Sequence, residues 1–581
     1  MSAWHRLRPE LRCAAAAALI GFALYANTLR HGYVLDDALV VTGHPDVLAG
    51  VRGIPNILGA DTLHFAKVNL GYYRPLSLVT FALENQFLPG DPHAGHWGNV
   101  ILYAATGFFL CLLLLRVFRR LHPSFSFLIA ALFMAHPIHT EVVANIKSRD
   151  ELLAFLNTVV ALWLFVGSFA VDYKRSAVDW KRYLPSLLFF YLALLSKETA
   201  ACGLLLAPLA LYFATELGPA DCLFWAFPWA VVAGLVEFQK FMVLGTLASA
   251  VPKDLANYPY AVAGAKLPSA FMILARYVKL MLFPHPLSYD YSFDQIPAAR
   301  SLSPAVLAGL LIAAALAFFG CKGLAAKSPR ALGVAIFSIT LAPALAFVLL
   351  RGGILAERLL YAPTLGFSIV LVFVLAKAAG VPVSEPQAPW RSVLGSAKLL
   401  APLAAIGGLY TVKTVTRNAA WRDNMALFST DAATSSASVQ ARRHYGSELI
   451  NASVAEKDPA RKEELFAKGV AELQASLRID PGFADSFFKL GVAYQLVHGD
   501  DKSAIYYYTR AIEAAPQAPG TANVYSNLGT VYEKLGKQEL ASFYFNKAVE
   551  VNSFMAQGVS NHRRHMKRTG LDVRRLPGSG A

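Results

Sequence analysis

A succession of apolar runs, each near the length that crosses a bilayer, fills the first 415 or so residues of this 581-residue chain. A helix needs roughly 20 apolar residues to cross the hydrocarbon core. Within that core every backbone N–H and C=O must be satisfied internally, so helices are the natural form of such runs. Stretches near 13–29, 97–117, 124–136, 151–171, 183–196, 200–215, 222–244, 303–320, 331–350, 361–378 and 398–414 make eleven expected spans. The remaining sequence is of ordinary soluble character. The chain is 56% hydrophobic and 16% charged, against about 25% charged in a soluble domain, and the deficit lies in the first part. The expected domains are therefore 1–415 in the membrane, 416–570 outside it, and 571–581 as a disordered tail.

The net charge of +15 does not point to nucleic acid, because many Lys and Arg sit in short loops between apolar runs. That pattern marks the cytoplasmic side. Arg6, Arg8 and Arg12 put the N-terminus there, and the loops Arg116–His122, Asp172–Arg182 and Lys322–Arg330, each basic, then fall on the same side. Residues 13–29 resemble a signal peptide, but no small-x-small cleavage site follows before His31, so they read as a retained first span. Eleven spans put the C-terminal domain on the extracytoplasmic face. Residues 268–283 carry Arg276 and Lys279 on one helical face and read as an amphipathic helix lying in the outer interface. Counted as a span, they would reverse the parity. The first extracytoplasmic loop, about 30–97, is too long for a simple connector. The cysteines Cys13, Cys111, Cys202, Cys222 and Cys321 all lie in or beside apolar segments with no CxxC, so neither a disulfide framework nor a zinc site is indicated by them.

The soluble part is repetitive. Leu528, Gly529, Tyr532, Ala541, Phe545 and Ala548 fall at tetratricopeptide spacings within 522–553. Leu490, Gly491, Tyr494, Ala504, Tyr508, Ala511 and Pro516 repeat the pattern in 483–517, and a degenerate copy covers 440–481 with Tyr445, Gly446, Leu473 and Pro481. Small residues let two antiparallel helices approach, and large ones fill the gaps. Three units suffice for a short solenoid, whose groove is either a grip for an extended peptide or a structural cap.

Ionisable residues cluster in the expected extracytoplasmic loops, at the membrane margin, where charge is costly unless paired or solvated. Asp36 and Asp37 are adjacent carboxylates that raise one another's pKa. One could serve as general base toward a hydroxyl; a solvated pair ending a helix is the alternative. His136, His139 and Glu141 could hold a metal or hydrogen-bond a sugar or phosphate, and no metal is assigned. Ser148 and Glu151 have capping-box spacing, which leaves Arg149 and Asp150 as an ion pair or as site residues. Lys197 and Glu198 occupy a tiny loop between two short spans, where a purely structural role is hard to justify. Arg358, beside Glu357, suits bidentate binding of a lipid phosphate or snorkels to headgroups. Arg74 is a second phosphate candidate. No Walker loop, GxSxG or dinucleotide fingerprint occurs in a suitable setting. An enzyme here would need an already activated substrate, and outside the cytoplasm a polyprenyl-phosphate sugar is the usual one.

These segments, in order, resemble the transmembrane and tetratricopeptide repeat-containing proteins, a family of protein O-mannosyltransferases with the GT-C membrane fold. The resemblance is carried by Asp36-Asp37, Tyr73-Arg74-Pro75-Leu76-Ser77, His136-Pro137-Ile138-His139-Thr140-Glu141 and Ser148-Arg149-Asp150-Glu151-Leu152-Leu153. It continues through Ser196-Lys197-Glu198-Thr199, Ala356-Glu357-Arg358-Leu359-Leu360-Tyr361 and Trp421-Arg422-Asp423-Asn424. It implies an all-α protein, with a polytopic GT-C-type membrane domain followed by a short α-solenoid. It implies inverting transfer of a sugar, mannose in this family, from a polyprenyl-phosphate carrier to Ser or Thr hydroxyls of a protein held by the repeats. Asp36 or Asp37 would be the base, with Asp36 preferred. Arg358, with Arg74 or Lys197, would bind the departing phosphate. His136, His139, Glu141, Arg149, Asp150, Glu198 and Glu357 would position sugar or acceptor. The implied partners are the lipid-linked sugar, an acceptor protein and membrane lipids. The short repeat array and the missing basic N-terminal extras suggest a compact bacterial member, its repeats facing the periplasm, or the lumen of the endoplasmic reticulum in a eukaryote. A non-catalytic scaffold presenting its repeats, or a GT-C enzyme acting on glycan or lipid, are the alternatives.

Overall fold

The computed structural model describes residues 9–66, 71–170, 178–246, 264–299, 301–351, 355–383, 390–516, 518, 520–551, 561 and 564. Arg6, Arg8, Lys174, Arg175 and the expected tail 571–581 lie outside the described residues. Helices of ten residues or more are numbered in chain order. The membrane part holds α1 (Pro9–Tyr25), α2 (Pro75–Phe87), α3 (Pro92–Val117), α4 (Pro123–Ala135), α5 (Arg149–Val166), α6 (Trp180–Ser196) and α7 (Gly203–Ala214). It continues with α8 (Pro219–Leu244), α9 (Lys266–Leu282), α10 (Pro304–Leu324), α11 (Pro329–Arg351), α12 (Pro363–Ala378) and α13 (Ala397–Asn418). No strand occurs among the described residues.

Each apolar run of the sequence coincides with one of these helices. Six are long and apolar enough to cross a membrane on their own: α1, α3, α8, α10, α11 and α13. Helix α4 and the segment Pro137–Val143, bent by 52° at His136, would together make a seventh. Helices α7 and α12 are apolar but shorter. The outward faces fit lipid rather than water. Helix α8 exposes Leu223, Phe224, Phe227, Leu235, Phe238 and Met242, and α10 exposes Leu311, Phe318 and Phe319. Without a hydrophobic force between helices in lipid, close packing of small residues holds them together. A Cβ on Gly107 of α3 would come within 2.9 Å of the Ala17 carbonyl of α1, and one on Gly333 of α11 within 2.7 Å of the Gly366 carbonyl of α12. Helix α9 is amphipathic in place. Ile273, Tyr277, Leu280 and Met281 are buried, while Arg276 and Lys279 are exposed. The chain is an integral membrane protein. Its five cysteines are free thiols; four are buried or partly so, and Cys321 is exposed.

Between α1 and α3 the chain builds a small layer of its own. Short helical turns Asp37–Val40, Pro45–Leu48 and Ile54–Leu58 pack with α2 around Val40, Val47, Ile57, Leu78 and Phe81.

After α13 come α14 (Asn424–Thr434) and three antiparallel helix pairs: α15 (Val439–Ala455) with α16 (Pro459–Ile479), α17 (Ala484–Ala493) with α18 (Asp501–Ala514), and α19 (Thr521–Lys534) with α20 (Gln538–Val551). One device recurs in each. A Cβ at Gly446 would meet Leu473 at 2.9 Å, at Gly491 the Tyr508 ring at 2.5 Å, and at Gly529 the Phe545 ring at 2.7 Å. Each glycine admits the large side chain of its partner helix.

The repeats are tied to the membrane part by polar contacts. The Arg417 guanidinium at the end of α13 forms a bidentate pair with Asp431 of α14 at 2.6 and 2.8 Å, with both side chains buried. Tyr289 N–H donates to Asp431 Oδ2 (2.6 Å), and Ser438 Oγ–H to Asp290 Oδ1 (2.6 Å).

Candidate active site

The two adjacent aspartates have opposite surroundings. Asp36 is exposed, and Asp37 is fully buried. Residues one apart on a helical turn point about 100° apart, so only one can face the opening. Asp37 Oδ2 accepts the N–H of Val34 (2.9 Å) and Oδ1 that of Lys147 (2.7 Å). Burial pushes its pKa up to about 7, while those two donors pull it down. Asp37 thus fastens the turn that carries Asp36 to the turn Ile146–Ser148. The residue before the pair, Leu35, sits at φ +52°, a left-handed conformation costing roughly 1–2 kcal/mol for a side chain of this kind. Its N–H donates to Asn424 Oδ1 of α14 (2.9 Å). Strained backbone of this sort collects at functional sites.

Asp36 lies in the electrostatic field of two cations, Lys147 and Arg358. Arg358 occupies the turn Glu357–Leu360 before α12, with 38% of its side chain exposed. Glu141 fixes it twice, accepting the backbone N–H at 2.8 Å and Nη1–H at 2.5 Å. The carboxylate beside it, with Asp36 and Glu151 further off, holds Arg358 charged over the whole accessible pH range.

A second group continues from the first. Asp150 Oδ2 faces Arg74 Nη1 (2.8 Å), Lys197 Nζ (3.2 Å) and Lys147 Nζ (3.6 Å). Arg74 also binds Glu198 (2.8 Å), and Lys197 binds Glu151 Oε1 (2.9 Å). Thr199 donates to the other Glu151 oxygen at 3.2 Å. The anticipated capping box is not formed: Ser148 makes no side-chain bond to the helix, and Glu151 turns instead toward Lys197 and Thr199. Asp150 pairs with these cations and not with Arg149.

A narrow cavity of about 40 Å³ opens from this face between α5, α7, α11 and the Arg358 turn. Arg358, Glu151 and Thr199 form its polar part, and Phe155, Leu206 and Pro343 are among its apolar walls. The lining is polar at the Arg358 end and apolar along the walls, and the space itself has room for a few waters only.

Asp36, Glu141, Asp150, Lys197, Glu198, Arg74 and Arg358 are therefore brought into one neighbourhood. The remaining expected residues are not. Arg149 is buried behind α2, held by Glu84 (2.6 Å), Asn99 (2.9 Å) and the Gly95 carbonyl (2.9 Å). His136 is buried between the Ile138 N–H and the Met281 carbonyl, and buried His139 pairs with the Tyr103 hydroxyl. Glu357 is buried away from Arg358. Its Oε1 accepts from Ser288 N–H (2.6 Å) and Tyr291 O–H (2.5 Å), and burial raises its pKa to about 8. Lys147 and Glu151 join the cluster without having been singled out as site residues from sequence. The density of charge in Lys147-Ser148-Arg149-Asp150-Glu151 was the available signal.

Known proteins resemble this chain in two ways. Residues 482–552 match the family described as Tetratricopeptide repeat. Over 520 residues the chain is 27% identical to "Protein O-mannosyl-transferase Tmtc1" of Drosophila melanogaster, covering 72% of this chain and 57% of the relative. Over 568 residues it is 25% identical to "Protein O-mannosyl-transferase TMTC1" of Homo sapiens, covering 89% of this chain and 57% of the relative. The chain thus spans little more than half the length of these two curated relatives. A chain of the "Crystal structure of APC/C hetero-tetramer Cut9-Hcn1" aligns over 84% of this chain and 93% of that one, at 14% identity and a TM-score of 0.24.

Proposed function

We propose, for a chain that belongs to the family of transmembrane and tetratricopeptide repeat-containing proteins, that it transfers mannose from a polyprenyl-phosphate carrier to Ser or Thr hydroxyls of proteins on the extracytoplasmic side, with inversion. The observation that carries this reading is the exposed carboxylate of Asp36 in the field of Arg358, which itself lines an amphiphilic cavity. The relatives' names supply the sugar and the acceptor class. The polyprenyl phosphate rests on the character of the lining, polar at Arg358 and apolar along Phe155, Leu206 and Pro343.

In the reaction the acceptor oxygen attacks the anomeric carbon from the face opposite the phosphate. Asp36 takes the hydroxyl proton as the new bond forms. The carbon–oxygen bond to the phosphate breaks, and its electron pair leaves with the phosphate. Negative charge grows there toward the transition state, so a fixed guanidinium at Arg358 stabilises the transition state more than the bound donor. Lys147, 21% exposed and only loosely paired with Asp150 at 3.6 Å, adds a second cation at the edge of the group. Arg74 and Lys197 are committed to Asp150, Glu151 and Glu198, and they act as positioning residues for the turns on either side. Glu141 holds Arg358 in register. The repeats hold the acceptor, and the Leu35–Asn424 bond supports a common side for the repeats and Asp36.

Purified full-length protein, polyprenyl-phosphate mannose and a Ser/Thr-containing acceptor test the reading. Asp36→Asn should lose about 10²–10⁴-fold in rate, the range of a general base, while keeping its thermal stability. Arg358→Lys should use donor poorly. Parental transfer by a well-folded Asp36→Asn variant would sink the proposal.

A further inference from the structure

The layer between α1 and α3 holds a polar cluster that sugar transfer does not use. His44, Asp46 and His64 each offer one ligand atom within 4.8 Å of the other two. His44 and Asp46 are buried, and the His64 side chain is 36% exposed. His64 Nδ1 lies 3.0 Å from the Asp61 carbonyl, so an N–H there leaves the Nε2 lone pair free. Nε2 stands 3.1 Å from Asp46 Oδ2. That oxygen is buried, yet it accepts no hydrogen bond among the described residues. With a neutral imidazole that lone pair faces a carboxylate oxygen, a repulsive arrangement that either a proton on Nε2 or a bound metal ion relieves. The other ligand groups are oriented from behind. Asn56 Nδ2 donates to Asp46 Oδ1 (3.0 Å), and His44 Nε2 meets the Thr62 carbonyl (3.1 Å). His44 Nδ1 is then the lone-pair nitrogen, and among the described residues it accepts one long hydrogen bond, from Val47 N–H at 3.4 Å. Outer hydrogen bonds of this kind fix the tautomer and direction of metal ligands.

We propose that His44, Asp46 and His64 bind one divalent transition-metal ion of the zinc class. Two imidazoles with one carboxylate suit zinc, whereas calcium and magnesium prefer oxygen donors. Bonds of about 2.0–2.2 Å put tetrahedral ligand atoms roughly 3.3 Å apart, so His64 Nε2 and Asp46 Oδ2 are already near ligand spacing. The His44 ligand atom lies within 4.8 Å of the other two, so metal binding would draw the three turns closer together. Three protein ligands leave a fourth position for water on the exposed side of His64.

The location gives the ion its task. Asp46 belongs to the turn Pro45–Leu48, and His64 follows a turn that pairs with residues 72–74. Thr62 N–H donates to the Tyr72 carbonyl (2.8 Å), Tyr72 N–H to Asp61 Oδ2 (2.9 Å), and Arg74 N–H to Thr62 Oγ1 (3.3 Å). An ion joining the two turns clips the backbone that carries Arg74. It is a structural clip apart from the bond-making groups.

The test is binding itself. Tag-free full-length protein, stripped with chelator, is titrated with Co²⁺ and then with Zn²⁺. One equivalent of Co²⁺ should give visible ligand-field bands that Zn²⁺ abolishes. His64→Ala and Asp46→Asn should lose them, and Asn56→Ala should weaken Co²⁺ affinity about 10–100-fold. His93→Ala, which removes an exposed histidine outside the cluster, should keep the bands. Absence of bands from the parent protein, or undiminished bands in folded His64→Ala, would overturn the assignment.

Discussion

Asp36 and Asp37 show how one step along a turn divides two identical side chains between separate tasks. Asp37 is buried with both carboxylate oxygens on backbone N–H groups, and an amide cannot accept at both. Asp37→Asn should therefore leave one buried N–H unsatisfied and cost about 1–3 kcal/mol, read as a lower unfolding temperature in detergent. Asp36→Asn should change stability by less than about 0.5 kcal/mol. A reversed pattern would exchange the roles assigned to the two residues. Glu357 supplies a pH signature. Its pKa is raised by burial to about 8 from an ordinary 4.5. The folded state therefore holds a proton that the unfolded chain releases. The stability this provides is full below about 4.5 and is lost as pH rises through about 8, with a slope of at most about 1.4 kcal/mol per pH unit. Glu357→Gln keeps the acceptor that Ser288 and Tyr291 use, so its unfolding temperature should decline less over that window. Identical pH profiles for parent and variant would argue against a protonated Glu357. From the sequence these residues were visible as charge at loop margins. Burial separates Glu357 from Arg358, while Arg149 and Asp150 are both buried and part company through their partners, Glu84 and Asn99 for one and Arg74 and Lys197 for the other; both outcomes depend on helices distant in the chain.

Helices were the most legible element, because an apolar run of about 20 residues has few other ways to satisfy its backbone. The short turns and the joints between elements were not. Arg417 and Asp431 are 14 residues apart, on either side of a break, and nothing in their local sequence indicates that they meet. Their pairing also satisfies Tyr289 N–H from the segment after α9, so three remote pieces share one buried joint. Removing one partner of a buried pair strands the other charge, at a cost of about 3–5 kcal/mol. Arg417→Met should thus free α14 from α13 and expose the 419–438 stretch to protease, measured as faster cleavage there at constant temperature. The Arg417→Met/Asp431→Leu double variant should recover much of the resistance, since apolar replacement of a whole buried pair is often tolerated. Cleavage of the single variant at the parental rate would mean that α14 is held by its apolar contacts with Val34 and Ala144.

At the scale of the molecule, the repeat spacing was readable, since each glycine faces one large residue of its partner helix. The attachment of the array to the Asp36 turn was not readable, because it runs through single bonds such as Leu35–Asn424 and Ser438–Asp290. That attachment decides what the repeats can do. A groove fixed next to a reaction centre turns a second encounter into an intramolecular one, with an effective concentration that reaches the millimolar range for short connections. Acceptor proteins present at micromolar levels would then gain on the order of 10²-fold or more in KM, while a peptide too short to reach the groove would gain nothing. Deleting residues 482–581 removes the segment that matches the tetratricopeptide family and leaves α15 and α16 docked through α14. The truncated protein, checked for monodispersity because Leu473 loses its cover from Leu490, should show a KM raised at least tenfold for a long acceptor. Its kcat and its KM for the short peptide should stay unchanged. Equal KM values for the long acceptor before and after truncation would remove the grip from the mechanism and leave the repeats a structural role, without touching the assignment of Asp36 and Arg358.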